Sequence, residues 1–287
     1  MPLSKEISGV EPPDLRDFSG RLLLVGAGKM GSALLDGWMR LGLDARRVAV
    51  LEPLPSPRIA ALAEHGLSLN PQLRALGSVD AVVLAIKPQI AAEAIAPLVP
   101  IVGVSALVVS IMAGRTLRFL AGALGPRGAA CALVRAMPNT PAAIGRGITV
   151  AVAQRATAAQ RQLADRLLAA TGAVEWIDDE ALMDAVTAVS GSGPAYVFLL
   201  AEALAQAGTA AGLPAPLAQK LARETVAGSG ELLHRSPLDA AILRENVTSP
   251  GGTTAAALEI LMGDRGLARL LRHAVAAATA RSRQLAG

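Results

Sequence analysis

The sequence predicts an α/β protein: a doubly wound sheet over its first part, followed by an all-α segment. Three observations predict it. Up to residue 178, short runs of Leu, Val, Ile and Ala alternate with stretches of helical period. A glycine turn of the form G-x-G-x-x-G separates the first such run from the first helix. Beyond Asp178 and Asp179 no strand pattern recurs. The expected division is therefore 1–178 and 179–287, with residues 1–20, polar and proline-bearing, as a loose N-terminal arm.

Residues 21–25 read as a strand, 26–31 as a turn, 32–42 as an amphipathic helix and 48–51 as a second strand, closing a βαβ unit of about 30 residues. Glu52 follows, about 20 residues past the last glycine, where a dinucleotide fold carries its acidic residue. A lone glycine turn needs glycine only for its dihedrals. Strand before, helix after and acid beyond together favour a dinucleotide.

Helices are expected at 59–65, 90–98, 116–124 and 156–170, and strands at 81–86, 106–111, 130–135, 147–152 and 173–177. In such a sheet the ligand belongs at the carboxyl ends of the strands. Three turns there are distinctive: Ala85-Ile86-Lys87-Pro88, the stretch 110–114 containing Met112 and Ala113, and Met137-Pro138-Asn139-Thr140-Pro141. Each is also ordinary turn chemistry; three at successive strand ends favour a shared ligand site.

After residue 180 helices are expected over 181–189, 194–212, 216–235, 238–246, 253–262 and 266–285. The segment 194–212 carries Glu202 as its one charge, and a helix apolar on all sides must be buried on all sides. A small domain can hardly cover it, so a second subunit is expected to. Near the end, Ser249-Pro250-Gly251-Gly252-Thr253-Thr254 runs into an alanine-rich helix. A glycine turn at a helix N-terminus presents free N–H donors and is an anion site. Thr253 and Thr254 add two hydroxyls, which suits a small substrate carrying a carboxylate and a second polar atom. Simple helix capping is the plainer alternative.

Composition excludes other classes. The net charge of +4 comes from scattered residues, 27 basic against 23 acidic, so no nucleic-acid partner is expected despite a pI of about 9.8. Mean hydropathy is +0.45, and residues 94–114 are uncharged, but Pro97, Pro100 and Gly103 interrupt them. A turn and a buried strand explain that stretch better than a membrane span. The one cysteine, Cys131, excludes an internal disulfide, and the N-terminal residues lack the apolar core of a secretory leader, so a cytoplasmic protein is expected. His65, His234 and His273 lack metal-ligand spacing, so no metal is expected.

The motifs GAGKMG (26–31), AIKPQ (85–89), RAMPNTPAAIGRG (135–147), VSGSGPAYVF (189–198) and NVTSPGGTTAAAL (246–258) resemble the pyrroline-5-carboxylate reductase family. The resemblance implies a Rossmann-type domain, a helical dimerisation domain, and NADH- or NADPH-dependent reduction of 1-pyrroline-5-carboxylate to proline. It implies that Gly26, Ala27, Gly28, Lys29, Met30 and Gly31 hold the cofactor pyrophosphate. Ala85, Ile86, Lys87, Pro88, Met112 and Ala113 would border the cofactor, with Glu180 and Asn246 approaching it. Ser249, Gly251, Gly252, Thr253 and Thr254 would receive the substrate, Thr254 as the catalytic hydroxyl at the ring nitrogen. Two stretches depart from the family pattern. Residues 52–58 are not the short Ser/Thr-rich loop common in members that take NADPH, and the spacing of 234–239 differs from the usual one. Glu52 would hydrogen-bond a ribose 2′-OH and repel a 2′-phosphate, whereas Arg58 or Ser56 folding back would accept that phosphate. The competing expectation is a non-catalytic NAD(P)-sensing dimer.

Overall fold

The computed structural model describes residues 14–286. They form two compact units, one reaching to Thr187 and resuming at Arg283, the other Ala188–Ser282.

In the first unit, the described residues form one eight-stranded sheet. Its strands are β1 Leu22–Val25, β2 Val48–Leu51, β3 Ser68–Leu69, β4 Val79–Leu84, β5 Val102–Ser110, β6 Ala132–Met137, β7 Gly147–Gln154 and β8 Gly172–Trp176. The helices are α1 Lys29–Arg40, α2 Pro57–Glu64, α3 Leu73–Leu76, α4 Ala91–Ile95, α5 Leu117–Ala123, α6 Ala158–Ala169 and α7 Met183–Val186. Strand order is β3-β2-β1-β4-β5-β6-β7-β8, and the first six strands are parallel in the order of a doubly wound dinucleotide fold. β7 runs antiparallel to β6 because residues 138–146 are too few for a crossover, which takes about a dozen residues or more.

Successive residues of a strand face opposite sides of a sheet, and both sides here are packed. Leu22 and Leu24 of β1 join one core with Trp38, Val50, Val109 and Leu168, while Leu23 and Val25 join another with Leu84, Ile95, Val108 and Leu120. In α1, Gly31, Leu34, Leu35 and Trp38 recur at helical spacing and are all buried. Trp38 Nε1 donates to the Leu167 carbonyl at 2.8 Å.

Two expectations need correction. Residues 14–20 are anchored rather than loose: Leu15 is fully buried and its N–H donates to Leu41 O at 2.9 Å, while Arg166 donates to Asp14 O. The rest of the expected arm lies outside the described residues. The first unit also extends past residue 178, because Glu180 is bonded to Leu117 and Arg135 and Met183 is buried in the second core. The uncharged stretch 94–114 contains β5, buried over 106–110, as expected; separately, the helical run Glu180–Ala210 is long and apolar enough to cross a membrane by length and composition.

The second unit contains α8 Gly193–Ala210, α9 Ala215–Arg235, α10 Ala240–Asn246, α11 Thr253–Met262 and most of α12 Leu267–Ala286. No residue of α8 is buried within the chain. Phe198 is 67% exposed and Ile260 78%, an apolar surface without cover in one copy.

Trp38→Ala should destabilise the first unit by about 3–5 kcal/mol, because it opens a cavity beneath α1 and strands the Leu167 carbonyl. Urea unfolding followed by circular dichroism measures this.

Candidate active site

The parallel strands β1, β2, β4 and β5 end level, with β6 running two residues further. Leu51, Val25, Leu84, Ser110 and Arg135 stand side by side across β2, β1, β4, β5 and β6. The residues that follow, Glu52, Gly26, Ala85 and Ile111, therefore lie along one edge of the sheet. Strand order reverses between β1 and β4, the point where such sheets bind ligands.

The turn at that point is built by its three glycines in different ways. Gly26 has φ +88°, and a Cβ there would lie 2.6 Å from the Ala85 carbonyl oxygen. A Cβ on Gly31 would lie 2.2 Å from the Gly26 carbonyl oxygen, so α1 rests directly on the end of β1. Around Gly28 there is open space, and Gly28 caps α1 without a side-chain bond. One glycine makes the turn, one leaves the backbone approachable and one allows the helix close to the strand, which is what a bound pyrophosphate requires. Ala27 is buried and its N–H donates to Glu52 Oε2 at 2.7 Å; Lys29 is exposed and Met30 half-buried.

The neighbouring turns are tied together. Arg115 donates through Nε (3.0 Å) and an Nη (2.7 Å) to the carbonyl of Pro88, beside half-buried Ala85 and Ile86 and exposed Lys87. Ala113 is exposed, but Met112 is 2% exposed and its side chain belongs to the core, so it can border a ligand through its backbone alone. Glu180 Oε1 accepts from the Leu117 N–H at the start of α5 and from Arg135, both at 2.9 Å. Arg135 is a buried cation, and this pair compensates it. Sequence reading did not single out Asn70, which grips the Glu52 backbone, or Arg115. A faint signal existed for Asn70 in the Asn-Pro turn pair.

In the helical unit, the 249–254 turn is held from within. Gly252 N–H donates to Ser249 O at 3.0 Å, Thr248 Oγ1 donates to Arg244 O at 2.6 Å, and Gly251 has φ +69°. Gly252 caps α11 with no side-chain bond. The leading N–H groups of α11, at Thr253, Thr254 and Ala255, have no partners within the helix, and the helix dipole favours an anion there. Thr254 is half-buried, Thr253 and Ser249 are exposed, and Asn246 is the exposed last residue of α10. Burial pushes the Cys131 thiol above its usual range, which disfavours the thiolate. Among the described residues, no cluster of three His, Cys, Asp or Glu is placed to hold a metal.

A family profile described as "Pyrroline-5-carboxylate reductase dimerisation" matches residues 180–285, and one described as "NADP oxidoreductase coenzyme F420-dependent" matches residues 21–114. The chain is 38% identical over 269 residues to the pyrroline-5-carboxylate reductase of Pseudomonas aeruginosa, covering 93% of this chain and 97% of that one. The chain belongs to the pyrroline-5-carboxylate reductase family. The pea (Pisum sativum) enzyme of that name is also 38% identical, over 95% of this chain and 98% of its own. Among solved structures, the reductase of Coxiella burnetii superimposes with TM-score 0.85 at 32% identity, covering 94% of this chain and 99% of that one. That of Plasmodium falciparum, with NADP bound, gives 0.77 at 29%, with the same coverage. The sensor alternative gains no support from these relatives, and the exposed apolar helices fall within the dimerisation match.

Gly31→Ala should weaken binding of reduced nicotinamide nucleotides by about tenfold or more, since its Cβ would push α1 off the turn. Fluorescence titration checks this, with circular dichroism confirming that the fold persists.

Proposed function

We propose that the chain reduces 1-pyrroline-5-carboxylate to L-proline with NADH or NADPH, in the cytoplasm and as a dimer or a larger assembly of dimers. The observation that carries this reading is family membership along almost the whole chain, which includes both the glycine cradle and the 249–254 turn. The single cysteine agrees with a reducing compartment.

In this reading, Gly26, Gly28, Lys29, Met30 and Gly31 hold the pyrophosphate. Ala27 acts indirectly, because its N–H is taken by Glu52. Ala85 to Pro88, Ala113 and the Met112 backbone border the nucleotide, and Glu180 supports that wall from its bonds to Leu117 and Arg135. Asn246 is assigned to the nucleotide by family resemblance alone. Ser249, Gly251, Gly252 and Thr253 receive the substrate carboxylate through amides and hydroxyls.

Reduction of a C=N bond needs a hydride at carbon, which the bound reduced nicotinamide supplies, and a proton at nitrogen. In the five-membered ring the nitrogen neighbours the carbon bearing the carboxylate. A hydroxyl beside the carboxylate site therefore reaches the nitrogen, and Thr254 is that hydroxyl. It donates a hydrogen bond to the nitrogen, stabilises it as it becomes an amine, and relays a proton from water. No strong general base is required.

The purified protein should oxidise NADH or NADPH when given pyrroline-5-carboxylate, with proline as product; no proline with either nucleotide would overturn the reading. Thr254→Val should lower turnover on the order of 10- to 1,000-fold while nucleotide binding persists, and Thr254→Ser should keep much of the activity. A valine variant turning over at the parental rate would move the role elsewhere.

A further inference from the structure

We infer that this chain selects NADH over NADPH through Glu52, and that Asn70 is the residue that positions it. The inference rests on the nucleotide reading of the sheet unit. Glu52 follows the last residue of β2, where the acidic residue of a dinucleotide fold meets the adenosine ribose.

Its carboxylate is set before any ligand arrives. Oε2 accepts from the Ala27 N–H of the glycine turn at 2.7 Å, and Oε1 accepts from the Leu54 N–H at 3.0 Å. Each oxygen keeps further lone pairs. The Glu52 backbone is clamped as well: its N–H donates to Asn70 Oδ1 and its carbonyl accepts from Asn70 Nδ2, both at 2.8 Å. Asn70 is held in turn by its own N–H, which donates to Val50 O at 2.8 Å. It lies in the left-handed region, φ +47°, which Asn tolerates better than most residues. This double hydrogen bond across two strand ends fixes where the Glu52 side chain starts, and the turn amides fix where it ends.

A ribose 2′-OH can donate to such a carboxylate. A 2′-phosphate cannot, because both groups accept hydrogen bonds and both carry negative charge. Accepting NADPH would require the carboxylate to leave two N–H donors or a nearby cation to offset it. Of the two residues able to fold back on the phosphate, Arg58 is paired with Asp36 at 2.8 Å. Ser56, whose Oγ accepts from the Ile59 N–H as the cap of α2, could donate its hydroxyl proton but brings no positive charge to offset Glu52.

Isothermal titration of the full chain with NADH and with NADPH, without substrate, tests this. NADH should bind about tenfold or more tightly than NADPH, the scale of a like-charge clash. Glu52→Gln removes the charge in the same shape and should bring the two affinities together. Asn70→Gly keeps the backbone conformation but removes the clamp; it should shrink the NADH:NADPH ratio while circular dichroism shows the sheet intact. Equal or tighter binding of NADPH by the unaltered chain overturns the inference, as does an unchanged ratio in Glu52→Gln. An unchanged ratio in Asn70→Gly removes Asn70 from it. Failure to bind either nucleotide would overturn the nucleotide reading itself.

Discussion

The start of α1 lies against the end of β1 with no room for a side chain between them. A Cβ on Gly31 would overlap the Gly26 carbonyl, and one on Gly26 would overlap the carbonyl of Ala85 just past β4. Three elements thus converge backbone to backbone at the point where strand order reverses. The far side of α1 is held the same way, since a Cβ on Gly37 would lie 2.3 Å from the Ala170 carbonyl oxygen beyond α6. Fixed at two glycines and by Trp38 between α1 and α6, the helix aims its leading amides along the sheet edge. Glu52 then reaches that edge from β2 and hooks the turn through Ala27.

The helices differ in what closes their first turn. α2, α5 and α6 are closed by their own side chains: Ser56, Thr116 and Thr157 accept from the N–H three residues on, and Thr157 completes a reciprocal box with Gln160. α1 and α11 start instead from Gly28 and Gly252, with no side chain taking up the leading amides. Of the helices α1 to α11, α3, α4, α7, α8, α9 and α10 also lack a side-chain cap, but only α1 and α11 have glycine as the cap residue. A glycine cap forgoes a stabilising bond and leaves donors and a helix dipole for an anion. One arrangement suits a pyrophosphate and the other a carboxylate, and the two lie in different units of the chain.

Much of this was legible because it depends on local pattern. The glycine spacing, the apolar strand runs and the Pro-Gly-Gly-Thr-Thr turn are contiguous in sequence, and the long helices follow their periodicity closely. What could not be read depends on distance or on brevity. β3 is two residues long and has no period to detect, yet it delivers Asn70. Arg135 and Glu180 are remote in sequence, so their pairing, and with it the extension of the sheet unit past residue 178, could not come from spacing. Leu15 is one of several apolar residues scattered without period through a proline-bearing stretch, and nothing in the sequence marks it as fully buried. The family resemblance places Met112 beside the cofactor, but its side chain is packed into the core, which no local pattern signals.

The helical unit poses a different physical problem. Its buried positions on α9 are the small residues Ala218 and Ala222, whereas Phe198, Leu199, Ile260 and Met262 stay in solvent. Small apolar contacts of that kind cannot offset the entropy of ordering long helices, so the unit needs apolar surface from elsewhere. The helical run Glu180–Ala210 would satisfy that need in a bilayer by length alone, but the dimerisation match over 180–285 points to a second copy as the cover. The consequence reaches the chemistry. α11, which carries Thr254 in its first turn, ends in the exposed Ile260, Leu261 and Met262. In the proposed reading the substrate turn is built on a helix whose apolar face a second copy would cover, so separating the copies should also loosen the amides assigned to the carboxylate.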